Sequence, residues 1–215
     1  MGITALIFDF DGLLMDTEGT MVASWQHEWR HHGLELDLGT FFVDHGGDVS
    51  EERYAALAGA VGPEFDRGAS HARRVAHRDS LNADLKVPQG IQDWIASASD
   101  LKLAVASSSP TTWVLPFLAR TGYLFDVVAC GDEVAHPKPD PGVYILALER
   151  LGVDPAEAIA FEDSPHGVAA AKAAGLKCVA IPTRYSDLAR YTAADLVLTN
   201  SADKTLAEIL DLAAA

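Results

Sequence analysis

Two aspartates stand two residues apart where an apolar run ends. In "ITALIFDFDGLL", residues 3–14, Asp9 and Asp11 follow a segment that reads as a buried strand. On an extended chain residues i and i+2 project to the same side, so both acids are expected to face one spot. Like charges held that close raise each other's cost unless a cation or a proton relieves them, which is the chemistry of a metal site. Matching groups follow later apolar runs. "LKLAVASSSP" delivers Ser107, Ser108 and Ser109 just before a helix expected to start near Pro110, and "AIAFEDS" delivers Glu162 and Asp163. Lys138 lies in "HPKPDP", a proline-stiffened loop that narrows the reach of its ammonium. Carboxylates, one lysine and a serine turn at a helix N-terminus describe a Mg2+-assisted phosphate site. Hard oxygen ligands suit that ion, which bridges carboxylates to phosphate oxygens, and serine hydroxyls at a helix N-terminus suit the remaining phosphate oxygens. A carboxylate approaching phosphate meets repulsion of about 4 kcal/mol per pair of unit charges at ~4 Å, for an effective dielectric of about 20. A divalent ion together with Lys138 reverses the sign of that interaction.

These groups need elements to carry them. Apolar runs suited to buried strands occur at 3–8, 101–106, 126–129, 158–161, 177–181 and 195–198. Helical stretches with clear punctuation lie between most of them. Asp140-Pro141 is expected to open one, with Asp as N-cap and Pro at the first helical position, and Gly152 to close it. Ser164-Pro165 opens "SPHGVAAAKAAG", which Gly175 ends, and Asp154-Pro155-Ala156-Glu157 has capping-box spacing. Strands alternating with helices after residue 86 imply βαβ units and a Rossmann-like, doubly wound parallel sheet of the α/β class, since the runs are too few for an eight-stranded barrel. Functional groups in such sheets gather beyond the carboxyl ends of the strands, which is where all of these residues fall. Residues 17–86 break the rhythm: strand-like runs vanish and helical segments dominate, at 18–32, about 50–60 and about 65–82. The expected organisation is an α/β core of residues 1–16 and 87–215 with a small all-helical domain, 17–86, inserted after the first strand.

Composition narrows the function classes. The chain has 215 residues, 49% of them hydrophobic and 22% charged, and a formal charge of −15 spread along its length. That charge argues against nucleic acid or an anionic membrane as partner, and any anionic substrate must be attracted locally. No apolar run reaches the roughly 18 residues of a membrane span, and no secretory signal is evident. Cys130 and Cys178 sit in apolar, strand-like runs and read as buried free thiols of a reducing, cytoplasmic compartment.

The segments "DFDGLLMDTEG", "VASSS", "HPKPD" and "FEDSPHGVAAAKAAG" closely resemble, in order, the four motifs of the haloacid dehalogenase-like hydrolases, in the branch with β-phosphoglucomutase and phosphoglycolate phosphatase. The resemblance spans the chain and implies a helical cap after the first strand. It implies that Asp9 forms an aspartyl-phosphate and that Asp11 is the general acid and then the base, with its backbone carbonyl on Mg2+. Ser107, Ser108 and Lys138 would bind the phosphoryl group; Asp9, Asp11, Glu162 and Asp163 would hold the metal, Glu162 directly or through water. It also marks "DHGGDVS", residues 44–50 with Gly46, as a substrate-specificity loop, against the plain reading of a turn. The expected activity is hydrolysis of a small phosphorylated metabolite, a sugar phosphate or phosphoglycolate-like acid, by a monomer or weak homodimer. A phosphomutase is the alternative, disfavoured because mutases of this kind carry histidine where Met21 stands. Dehalogenation has no need of the acid at Asp11, and a phospho-accepting receiver domain lacks the helical insert. One decoy remains. "HEWRH", residues 27–31, matches a zinc-protease pattern, but Val22, Trp25 and Trp29 form that helix's apolar stripe and turn His27 and His31 to water.

Overall fold

The apolar run before Asp9 forms β1, Ala5–Phe8, with every residue fully buried. The computed structural model describes residues 2–41 and 49–214. The chain divides into two units, Met1–Asp16 with Lys86–Ala215, and Thr17–Leu85. In the first, five further runs become β2 (Lys102–Ala106), β3 (Val127–Ala129), β4 (Ala158–Glu162), β5 (Lys177–Ala180) and β6 (Leu196–Val197). All pair in parallel, in the order β3-β2-β1-β4-β5-β6. Such a sheet is buried on both faces, which is why its strands read as continuous apolar runs rather than alternating ones. The chain builds outward from β1 through β2 and β3, then returns to lay β4 on the other side of β1. That reversal opens a crevice beyond the carboxyl ends of β1 and β4. Register aligns Phe8 with Val105 and with Phe161, and the Phe8 and Phe161 rings stack at 4.9 Å. By that register Asp9 and Glu162 stand at the same level of the sheet, with Ser107 one residue beyond.

Numbered along the chain, α1 (Thr17–His31), α2 (Leu38–Phe41), α3 (Ser50–Val61) and α4 (Arg67–Ala83) form the second unit. In the first unit lie α5 (Gln89–Ser97), α6 (Thr111–Thr121), α7 (Gly142–Leu151), α8 (Pro165–Ala173) and α9 (Leu206–Ala214). The short α2 carries no periodic pattern of its own and was not expected. Two expected helix starts differ. Helix α7 begins at Gly142 rather than Pro141, although the Asp140 side chain still accepts from the Gly142 N–H at 2.8 Å. The Asp154 capping box closes only a short 3-10 turn, Pro155–Glu157, that feeds directly into β4. Ser164 caps α8 as expected, its hydroxyl accepting from the Gly167 N–H at 3.0 Å. In the helical unit the Trp25 and Tyr54 rings pack at a tilt of 55° with centroids 4.6 Å apart, and the buried Arg74 donates to the Tyr54 hydroxyl at 2.7 Å. Among the described residues no helix is long and apolar enough to cross a membrane.

Candidate active site

Strand β1 ends at Phe8, but its pairing runs one residue further: the Asp9 N–H donates to the Phe161 carbonyl at 2.9 Å. The chain then turns. Gly12 takes φ +84°, its N–H bonds the Met15 carbonyl at 2.7 Å, and the Met15 N–H bonds Phe10 at 3.0 Å. A positive φ admits glycine at little cost, and here a Cβ would also collide with the Asp163 carboxylate. Asp9 and Asp11 leave the extended strand and enter this loop with different partners, while Asp11 stays near enough for its charge to raise the Asp9 carboxyl. Asp9 joins Glu162 and Asp163, with one carboxylate oxygen from each lying within 4.8 Å of the others. Asp11 instead accepts from the Ser109 hydroxyl at 2.6 Å and from the Trp113 indole N–H at 3.0 Å, with the Ser107 hydroxyl at 3.5 Å.

Lys138 crosses the crevice to the acids. Its ammonium donates to Asp9 Oδ1, to Glu162 Oε1 at 2.6 Å and to the Ala106 carbonyl at 2.9 Å. Its side chain is only 5% exposed. The loop that carries it is tied to the serine turn by the Lys138 N–H, which reaches the Ser108 hydroxyl at 3.4 Å. Ser107 is buried and accepts from the Ser109 N–H at 3.0 Å, whereas Ser108 is exposed. Gly46 falls outside the described residues.

Glu162 is fully buried and meets donors at both oxygens. Oε1 takes Lys138 and the Tyr144 hydroxyl at 2.7 Å. Oε2 takes the Asp163 and Ser164 N–H groups at 3.1 and 3.3 Å and the Ser164 hydroxyl at 3.2 Å. The cradle is closed by Gly167 on α8, where any Cβ would strike the Glu162 carboxyl. The N-terminus of α8 also places its positive dipole end near this acid. Sequence reasoning passed over Tyr144, Ser109 as a partner of Asp11, Trp113 and Gly167. Only Ser109 carried a signal, as the last of three serines leaving β2.

The electrostatics are those of an anionic cluster with one cation. Burial pushes the Asp9 carboxyl up to about 8 against the pull of Lys138, and Glu162 and Asp11 add to the rise. Burial alone would lower the Lys138 ammonium, but Asp9 and Glu162 outweigh it and hold its pKa above the ordinary value. Tyr144 is raised well above its usual range by burial and then by Glu162, so it acts here as a neutral donor. Three hard oxygen acids around one lysine fit a divalent cation: a second positive centre is what would return buried Asp9 to its ionised form.

This geometry agrees with the relatives of the chain. Residues 6–181 match the family model described as haloacid dehalogenase-like hydrolase. The chain belongs to the haloacid dehalogenase-like hydrolases. A phosphorylated carbohydrates phosphatase from Thermotoga maritima is 34% identical over 182 residues, covering 80% of this chain and 82% of its own. Fructose-1-phosphate phosphatase YqaB from Escherichia coli is 30% identical over 177 residues, covering 81% of this chain and 94% of its own. The crystal structure of CbbY from Rhodobacter sphaeroides in complex with phosphate superposes with a TM-score of 0.70 at 31% identity, over 97% of this chain and 99% of that one. Within the family this chain is a phosphoric monoester hydrolase, as its named phosphatase relatives are.

The "HEWRH" segment lies on α1 of the second unit. His27 stacks on His77 of α4 at 4.0 Å, and His31 packs edge-on to His32 at 5.1 Å. Glu28, between them in sequence, is fully buried and takes two bonds from Arg73, at 2.7 and 3.2 Å. Among the described residues Asp9, Glu162 and Asp163 form the one group of acids, histidines or cysteines spaced for a metal. Cys130 and Cys178 are buried free thiols, and burial first, then nearby acids, raises both; Cys130 reaches about 11.

Proposed function

We propose that this phosphatase hydrolyses a small phosphorylated metabolite, a sugar phosphate or a short acid of the phosphoglycolate kind, through a phosphoryl group carried on Asp9. The observation that carries the reading is the buried Lys138 ammonium set against Asp9 and Glu162, with Asp163 beside them. A carboxylate attacks phosphorus only when it is ionised and the charge of the phosphate is countered. Mg2+ would be held by Asp9, Asp163 and the Asp11 backbone carbonyl, with Glu162 directly or through water. When bound it supplies the positive charge that keeps Asp9 ionised and offsets the substrate dianion.

Asp9 then attacks phosphorus and the bond to the substrate alcohol breaks. Asp11 gives its proton to the departing alkoxide; in the second step it takes a proton from the water that releases inorganic phosphate and regenerates Asp9. Ser107, Ser108 and Lys138 bind the transferring phosphoryl oxygens. The names of the Thermotoga maritima and Escherichia coli relatives support a sugar phosphate. Met21 supports hydrolysis over the mutase alternative: its thioether accepts an N–H from Arg53 at 3.4 Å and has no proton to transfer. We assign residues 17–86, Gly46 included, the role of a cap that selects the substrate. We assign the protein to the cytoplasm as a monomer or weak homodimer, with neither nucleic acid nor membrane as partner.

A panel of sugar phosphates and short phosphorylated acids, supplied with Mg2+, tests the proposal by scoring free phosphate and isomerised product together. The expected result is free phosphate, an acyl phosphate trapped by hydroxylamine, and loss of both in Asp9→Asn without a change in melting temperature. Undiminished turnover in Asp9→Asn removes the nucleophile, and isomerised product without free phosphate establishes the mutase instead.

A further inference from the structure

A carboxyl group turns about a single bond, so anchoring one oxygen aims the other. Asp11 is anchored in this way at both oxygens by the segment that follows β2. The Trp113 indole N–H bonds Oδ1 at 3.0 Å, and the Ser109 hydroxyl bonds Oδ2 at 2.6 Å, with the Ser107 hydroxyl on the same oxygen at 3.5 Å. The indole is itself held. Trp113 packs on Phe117 one turn along α6 at 4.9 Å, and Phe117 packs edge-on against the buried Phe10 at 5.7 Å. Phe10 lies between Asp9 and Asp11, so the aromatic chain leads back to the loop whose carboxylate it orients. The start of α6 is fixed independently, because Asp132 accepts from both the N–H and the hydroxyl of Thr111, at 2.9 and 2.7 Å.

We propose that Trp113 is a positioning residue for Asp11: its indole N–H holds Oδ1 so that Oδ2, once released by Ser109, faces the leaving oxygen of the substrate. The inference rests on the acid–base role proposed for Asp11. Ser109 donates through a rotatable hydroxyl and yields to substrate; the indole N–H is fixed in its ring plane and keeps its bond through the reaction. A hydrogen bond to a charged group of this kind corresponds to about tenfold or more in an equilibrium or a rate.

The test measures single-turnover phosphorylation of Asp9, with Mg2+ present, by nitrophenyl phosphate, whose leaving group needs no proton, and by an alkyl phosphate, whose leaving group does. Trp113→Phe keeps a ring against Phe117 and removes the donor; benzothienylalanine at position 113 keeps the indole shape without the N–H if the phenylalanine variant is unstable. The expected result is a loss of about tenfold with the alkyl phosphate, little change with nitrophenyl phosphate, and an unchanged KM. In an Asp11→Asn background the same replacement is expected to have no further effect, because both changes act through one carboxylate. Equal losses on the two substrates, or an undiminished loss in the Asp11→Asn background, overturns the positioning role. Asp11→Asn failing to separate the two substrates overturns the acid assignment itself, and this inference with it.

Discussion

Replacing Glu162 by Gln changes one oxygen of a buried carboxylate into an amide NH2 and leaves its shape nearly intact. Five donors converge on that carboxylate, from Lys138, Tyr144, Asp163 and twice from Ser164. The amide must point its NH2 toward one set or the other. Toward Oε2 it meets two backbone N–H groups that cannot rotate away. Toward Oε1 it meets the Tyr144 hydroxyl, which can turn, and the Lys138 ammonium, which keeps Asp9 and the Ala106 carbonyl. The second orientation is cheaper and leaves one charged donor short of an acceptor, at about 2–3 kcal/mol. For a chain of this size that corresponds to a fall of about 4–12 °C in melting temperature. The ammonium, released on one side, also shifts, and a displacement of about 1 Å near reacting atoms costs on the order of a hundredfold in rate. Calorimetric unfolding and phosphate release at saturating Mg2+ read the two effects. A melting temperature within about 1 °C of the wild type, together with unchanged turnover, refutes the claim that Glu162 holds Lys138. A higher Mg2+ requirement with unchanged saturated rate makes Glu162 a metal ligand first.

Gly167→Ala should act on the same carboxylate from behind: its Cβ displaces Glu162, at a cost of about 1–3 kcal/mol, and thermal unfolding with phosphate release should show both losses together. Because burial raises the carboxyl of metal-free Asp9 above its ordinary value, Mg2+ binding should expel protons as that acid ionises. Titration calorimetry in two buffers of different ionisation enthalpy checks this, and buffer-independent heats contradict it. His77 is held below its ordinary 6.5 by burial and then by the neighbouring His27. The unfolded state therefore binds that proton more readily, so the stability contributed by neutral His77 is present above about 6.5 and is lost as pH falls below it. Melting temperature should drop between pH 7.5 and 5.5, and His77→Gln should flatten that part of the profile. Glu28 titrates in a lower window: burial would raise it, but Arg73 holds it below 4.5, so its contribution persists above that value and fades in more acidic solution.

The strands and most helices were legible in the chain because their signals are local. Continuous apolar runs mark the strands of a parallel sheet, and Ser164-Pro165 caps α8 through atoms three residues apart. The identities of the chemical groups were legible for the same reason: each follows a strand, and strand ends in a doubly wound sheet converge on one crevice. Direction was another matter. Strand periodicity sent Asp9 and Asp11 to one side, but it could not assign Lys138 to Asp9 or Ser109 and Trp113 to Asp11. Glu162 read as a metal ligand, directly or through water; the fold keeps it in the acidic cluster and also surrounds it with donors, Lys138 among them. Trp113 carried no local mark, because its bond to Asp11 joins residues 102 apart in the chain. Tyr144 was as silent, since only the packing of α7 against the sheet brings its hydroxyl to Glu162. Residue type and sequence spacing determine which chemistry the chain can hold. Where each carboxylate points is decided by partners the backbone brings from far along the chain, and no local pattern encodes them.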